Sequence, residues 1–98
     1  MPIAVSNNTD QQQFEAHVDG ELAVLLYRFH EGAIWLMHTE VPKKLEGQGI
    51  ASALAHYALE WAKEKGIKVK VLCPFVAIYL KRHPEYNPIL INESSNDE

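Results

Sequence analysis

A chain of 98 residues with net charge −4 and one cysteine leaves no room for a separate substrate domain or an internal disulfide, and offers no basic stripe for tracking a duplex. Three acids, Glu93, Asp97 and Glu98, fall in the final NESSNDE, so setting them aside takes the charge from −4 to −1; nucleic acid is not an expected partner. A lone thiol in so small a domain points to the reducing cytoplasm, no run reaches the roughly twenty apolar residues of a membrane span, and MPIAVSNNTDQQQ lacks the regions of a secretion signal.

Along the chain, Pro2 to Val5 reads as a short strand and Ser6 to Asp10 as a turn, because Ser-Asn-Asn-Thr-Asp is dense in turn formers. From Gln12, Phe14, Ala16 and Val18 alternate with polar residues, the pattern of a peripheral strand with one wet face. Asp19-Gly20 is a hairpin signal, and Leu22 to Phe29 is apolar at both parities, as in a strand covered on both sides. After the Glu31-Gly32 turn, Ile34 to Val41 puts Ile34, Leu36, His38 and Glu40 on one face and Trp35, Met37, Thr39 and Val41 on the other. Pro42 ends that strand.

From Ile50 the period becomes helical, with Ile50, Leu54, Ala58, Trp61 and Ala62 on one face and Ser52, His56, Glu60 and Lys63 on the other, up to Gly66 as C′ residue. Ile67 to Leu72 is a short β-prone run. Cys73-Pro74 opens a second helix, Phe75 to about Arg82, which His83-Pro84 closes. A packed or extended segment to about Ile91 follows. Residues 1–91 thus read as one domain and 92–98 as a disordered acidic tail.

The junction Gly47-Gln48-Gly49 is either a bare strand-to-helix turn or an anion cradle, since glycines let main-chain amides at a helix N-terminus close on a phosphate. It is neither a Walker loop nor the dinucleotide fingerprint, which would need a glycine at Ser52. Lys43 and Lys44 favour an anion there, and Glu46 opposes one.

The run VPKKLEGQGIA, Val41 to Ala51, resembles the acyl-CoA loop of the GNAT superfamily of N-acetyltransferases, and HTEVP, GQGIA, CPFV and RHPEY together resemble its short single-domain GNAT-like members. The resemblance implies an α+β fold: a mainly antiparallel sheet with splayed central strands, one long helix on one face and a short helix packed near the other. It also implies acetyl-CoA, its pyrophosphate on Lys44, Gly47, Gln48, Gly49, Ile50 and Ala51, and its pantetheine arm along Glu40 and Val41. Lys44 stands where the superfamily prefers Gln or Arg, which keeps the charge but loses bidentate geometry. The helices that commonly shape the acceptor site have no counterpart before Leu22, so that site is open or borrowed from a second copy, in a monomer or homodimer.

Four side chains are candidates for the chemistry. Cys73, at the start of the second helix, is either a nucleophile or a small packing residue; the short family resembles this chain in carrying Cys there. Phe75-x-x-x-Tyr79-x-x-x-His83-Pro84 resembles the segment whose tyrosine protonates the CoA thiolate, a role that passes to Tyr79. His38 and Glu40, two apart on the central strand, are candidate bases; as a metal pair they lack a third ligand, and no metal is expected. The other histidines carry no assigned chemistry, and Trp35 and Trp61 read as packing. The expected activity is acetyl transfer to a small-molecule or peptide amine, directly or through Cys73; the alternative is a CoA-binding sensor or adaptor without turnover.

Overall fold

The computed structural model describes residues 3–91. Five strands lie side by side in chain order: β1 (Val5–Asn8), β2 (Gln13–Val18), β3 (Glu21–His30), β4 (Ala33–Glu40) and β5 (Lys68–Val71). Hairpins join β1 through β4. Asp19-Gly20 (φ 51° and 78°) and Glu31-Gly32 (φ 54° and 79°) both take the left-handed conformation that two-residue turns need. β5 instead pairs parallel with β4, after the helix α1 (Ile50–Lys65) has carried the chain back across the sheet. A 3-10 turn, Lys43–Leu45, leads into the glycines before α1; α2 (Pro74–Arg82) and a 3-10 stretch, Pro84–Ile89, follow β5, and Leu90 bridges to Val69.

The N-terminal expectation is corrected. The strand runs over Val5–Asn8 and the turn is confined to residues 9–12. Turn-forming asparagines enter a strand here because their side chains find partners across it. Tyr27 Oη donates to Asn7 Oδ1 at 2.7 Å, and Asn8 Nδ2 donates to Glu15 Oε2 at 2.8 Å. β2 is not peripheral: it lies between β1 and β3, with Phe14 and Ala16 fully buried. Residues 92–98, expected as a tail, and Pro2 lie outside the described residues.

One face of the sheet, including Leu25, Tyr27, Ile34 and Leu36, packs beneath α1, whose Ile50, Leu54, Ala58 and Ala62 form the expected buried stripe. α2 lies on that same side, not near the other face, and touches α1 through Tyr79 and His56. The second face is uncovered by any helix among the described residues. β3 is therefore sealed on both sides only near its middle: Val24 is buried, Leu26 half-buried and Leu22 exposed. Trp35 is half-buried on this face, with Lys70 Nζ 5.3 Å from its ring centroid.

The strict alternation expected for β4 breaks at Met37. Tyr27 faces Leu36 and Leu26 faces His38, so Met37 is an extra residue in β4, a β-bulge. Directly paired residues share a face, and the pairs Leu25 with Thr39 and Val24 with Glu40 put Thr39 toward the helices and His38 and Glu40 on the uncovered side. The expected grouping of His38 and Glu40 with Ile34 and Leu36 is overturned by that one residue.

On the uncovered side Glu15 accepts from Gln13 Nε2 at 2.6 Å and Asn8 Nδ2 at 2.8 Å, with His17 Nε2 at 3.4 Å. These bonds, Gln13 first, hold its carboxyl below the usual range against the opposing effect of burial. A depressed folded-state pKa stabilises the fold above the unfolded value of about 4.3 and ceases to do so as pH falls through the lower folded value. Denaturant melts from pH 6 to 3 should therefore show a loss of stability that Glu15→Gln flattens.

Candidate functional site

β4 and β5 part company at the bulge. Their pairing runs from Ala33 with Lys68 to Leu36 with Val71, and there the Leu36 carbonyl accepts from both Leu72 N–H (3.0 Å) and Cys73 N–H (3.1 Å). Past Leu36, β4 bends away, as a bulged strand does, while the segment after β5 turns into α2. No strand pair joins them beyond this point among the described residues, so the edge of β4 from Met37 to Glu40 faces a gap. The splay expected from the resemblance is this gap.

Across the gap stands the start of α1. Gly47 (φ 83°) and Gly49 (φ 78°) are both left-handed, and a Cβ at either would meet nothing within 4 Å. Gly49 is the N-cap, and no side chain caps the helix. The first bond of the helical ladder comes from Ala53 N–H to the Gly49 carbonyl (3.0 Å), so the amides of Ile50, Ala51 and Ser52 precede that ladder and point outward. Together with the helix dipole they favour a negative group.

Gap and turn enclose one pocket of about 720 Å³. Glu40, Val41, Gly47, Gly49, Ile50 and Ala51 of the predicted set line it; Thr39, Leu45, Glu46, Ser52 and Phe75 complete the wall. Lys44 and Gln48 do not. Lys44 Nζ lies 3.5 Å from Glu21 Oε2, and Gln48 Nε2 donates back to the Lys44 carbonyl at 3.4 Å. The positive end of the pocket is thus made of main chain. Its other end carries Glu40, whose Oε2 is 3.2 Å from His38 Nε2 in an exposed pair at the border of the uncovered face.

Cys73 is buried, and its Sγ lies 3.0 Å from Thr39 Oγ1, so the thiol adjoins the pocket wall from behind. Tyr79 lines a smaller hollow of about 200 Å³ that shares Ala51, Ser52 and Phe75 with the main pocket. Its hydroxyl lies 3.2 Å from His56 Nδ1, and its ring stacks on His83 at 4.2 Å. Burial, then the carboxylates of Glu85 and Glu60, hold this hydroxyl above its ordinary range. The structure therefore brings Glu40, Val41 and the glycine turn to one cavity, leaves His38 outside its lining but paired with Glu40, puts Cys73 behind its wall, and sets Tyr79 in the adjoining hollow. Thr39 and His56 were not anticipated. Thr39 becomes visible only with the bulge, and His56 looks like an ordinary surface residue until Tyr79 and Tyr86 fold against it.

Comparison with known proteins identifies the family and the fold. The profile of the family described as GCN5-related N-acetyl-transferase matches residues 13–89. Protein NATD1 of Mus musculus is 36% identical over 86 residues, spanning 85% of this chain and 78% of that protein. Its Danio rerio counterpart is 32% identical over 89 residues, spanning 86% and 81%. The NMR solution structure of a GCN5-like protein from Staphylococcus aureus superposes with a TM-score of 0.70 at 26% identity, covering 92% of this chain and 89% of that one. No helix among the described residues is long and apolar enough to cross a membrane. With a family profile spanning most of its length and a matching fold, the chain belongs to the GCN5-related N-acetyltransferase family.

Proposed function

We propose that the protein binds acetyl-CoA and moves its acetyl group to the amine of a small molecule or peptide. One observation carries the reading: two left-handed glycines with open space beside them lead into an uncapped helix at the mouth of the pocket where β4 and β5 separate. The residues present suit that ligand. Amides at Gly47 to Ser52 match a diphosphate, the free edge of β4 at Glu40 and Val41 matches an amide-bearing arm, and Leu45, Ile50 and Phe75 match its methylenes.

When bound, acetyl-CoA supplies a thioester carbonyl open to attack by an amine. Glu40, steadied by His38, takes the proton of the incoming amine, which approaches from the uncovered face. Tyr79 gives its proton to the departing thiolate. Direct transfer is favoured over a cysteine route, because the Cys73 thiol is sealed and the polar group beside it is the Thr39 hydroxyl instead of a base. The adaptor reading rests on a different observation: β1 and β2 are joined by a turn over residues 9–12 with no helix between them, so no helix from that connection walls the acceptor side.

Titrating isotope-labelled protein with acetyl-CoA should shift the amides of Gly47, Gly49 and Ala51. A spectrum unchanged at saturation overturns the reading. Assayed against a panel of amines, Cys73→Ala should retain turnover on the direct route and lose it on the covalent one. Binding without turnover by any variant favours the adaptor.

A further inference from the structure

On α1, His56 stands one turn before Glu60, and both meet the phenol of Tyr86 from the 3-10 stretch. Tyr86 has one hydroxyl proton, and it goes to Glu60 Oε2 at 2.5 Å. The Tyr86 hydroxyl oxygen itself lies 3.3 Å from His56 Nδ1. With its proton committed to a carboxylate, that oxygen only accepts, so a hydrogen bond at this contact requires the imidazole proton on Nδ1. The Tyr79 oxygen is 3.2 Å from the same nitrogen. An Nδ1–H shared between the two phenol oxygens leaves the Tyr79 proton uncommitted, whereas a bare Nδ1 would draw that proton toward itself.

Resting on the acetyl-transfer reading above, we infer that His56 is the positioning residue for Tyr79: Tyr86 and Glu60 fix its proton on Nδ1, from where it frees and then replaces the proton that Tyr79 gives up. The Tyr79 O–H bond breaks as an S–H bond forms on the departing thiolate. As Nε2 of this exposed imidazole takes a proton from solvent, the Nδ1 proton passes to the phenolate, and exchange of the remaining imidazole proton through solvent restores the Nδ1–H form, so the net transfer over the cycle is one proton from solvent to sulfur. Tyr79, raised by burial and by Glu85 and Glu60, is a reluctant donor unaided, and an N–H aimed at its oxygen offsets that. The titratable groups in contact with His56 are Glu60 from its own helix by way of Tyr86, Tyr79 from α2 and Tyr86 itself; Arg82, His83 and Glu85 stand one layer out.

The test reads the imidazole nitrogen shifts of the full chain labelled with ¹⁵N-histidine, free and with acetyl-CoA, together with the kinetics of His56→Gln. The wild type should show His56 as the Nδ1–H tautomer, and Tyr86→Phe should convert it to Nε2–H. In His56→Gln, kcat should fall roughly tenfold or more with KM for acetyl-CoA unchanged. An Nε2–H tautomer in the wild type, or kcat unchanged in His56→Gln, overturns the assignment. Shifts at Gly47 and Gly49 accompanied by an Nε2–H imidazole overturn the role of His56 and leave acetyl-CoA binding standing; no shift at the glycines overturns both.

Discussion

Gly49→Val is expected to weaken acetyl-CoA binding by about two orders of magnitude and to cost about 1–2 kcal/mol of folding stability. The stability loss comes from the backbone: Gly49 sits at φ 78°, ψ 16°, where a residue with a Cβ is strained and a branched one more so. The binding loss comes from the position of the new side chain. It would fill the open space beside Gly49 and keep a phosphate from the amides of the first turn. Charge-assisted bonds of this kind contribute about 1.5–3 kcal/mol each, so losing one or two gives the stated factor. Gly66→Val separates the two effects. Gly66 has φ 71° at the opposite end of the same helix, so it carries comparable strain and no contact with the pocket. Calorimetric titration and thermal melts should show both variants destabilised and only Gly49→Val weakened toward acetyl-CoA. Equal weakening in both would mean that the glycine turn does not bind the ligand.

Deleting Met37 should weaken binding about a hundredfold or more while leaving the sheet folded. The residue is the surplus one in β4, so its removal lets Leu36, His38, Thr39 and Glu40 follow in simple alternation opposite Tyr27, Leu26, Leu25 and Val24. Every side chain keeps its present face. The bend that carries β4 away from β5 goes with the bulge, so the free edge that the pantetheine arm needs is lost. A few main-chain hydrogen bonds at about 0.5–1.5 kcal/mol each, together with the narrowed pocket, amount to about a hundredfold or more in affinity. Circular dichroism should show an unchanged spectrum and a melting temperature no lower than that of the parent. Binding that survives the deletion would mean that the arm does not lie in the gap.

What could be read from the sequence was local. Asp19-Gly20, Glu31-Gly32 and Gly66 announce their conformations by residue type, and the buried stripe of α1 follows from spacing alone. What failed depended on partners far along the chain. Asn7 and Asn8 look like turn residues until Tyr27 and Glu15 bond to them. Met-His-Thr-Glu alternates without interruption on paper, and only the register against β3 shows that Met37 is surplus. α2 has apolar residues around most of its circumference, Phe75 and Ile78 exposed and Val76 buried, so its packing side could not be told from its pattern. For the candidate site, the left-handed glycine turn leading into α1 was legible because its conformation is set by residue type. Lys44, within the same motif, turned to Glu21 because surface charges settle with whatever opposite charge the fold delivers.

The parallel seam between β4 and β5 bears on how the molecule assembles. β1 to β4 are joined by short turns and meet at little entropic cost, whereas Ala33 reaches Lys68 only after the whole of α1 has docked. The cleft therefore opens onto the strand pairing with the longest intervening loop, and a ligand that bridges both of its sides would act as a clasp across that seam.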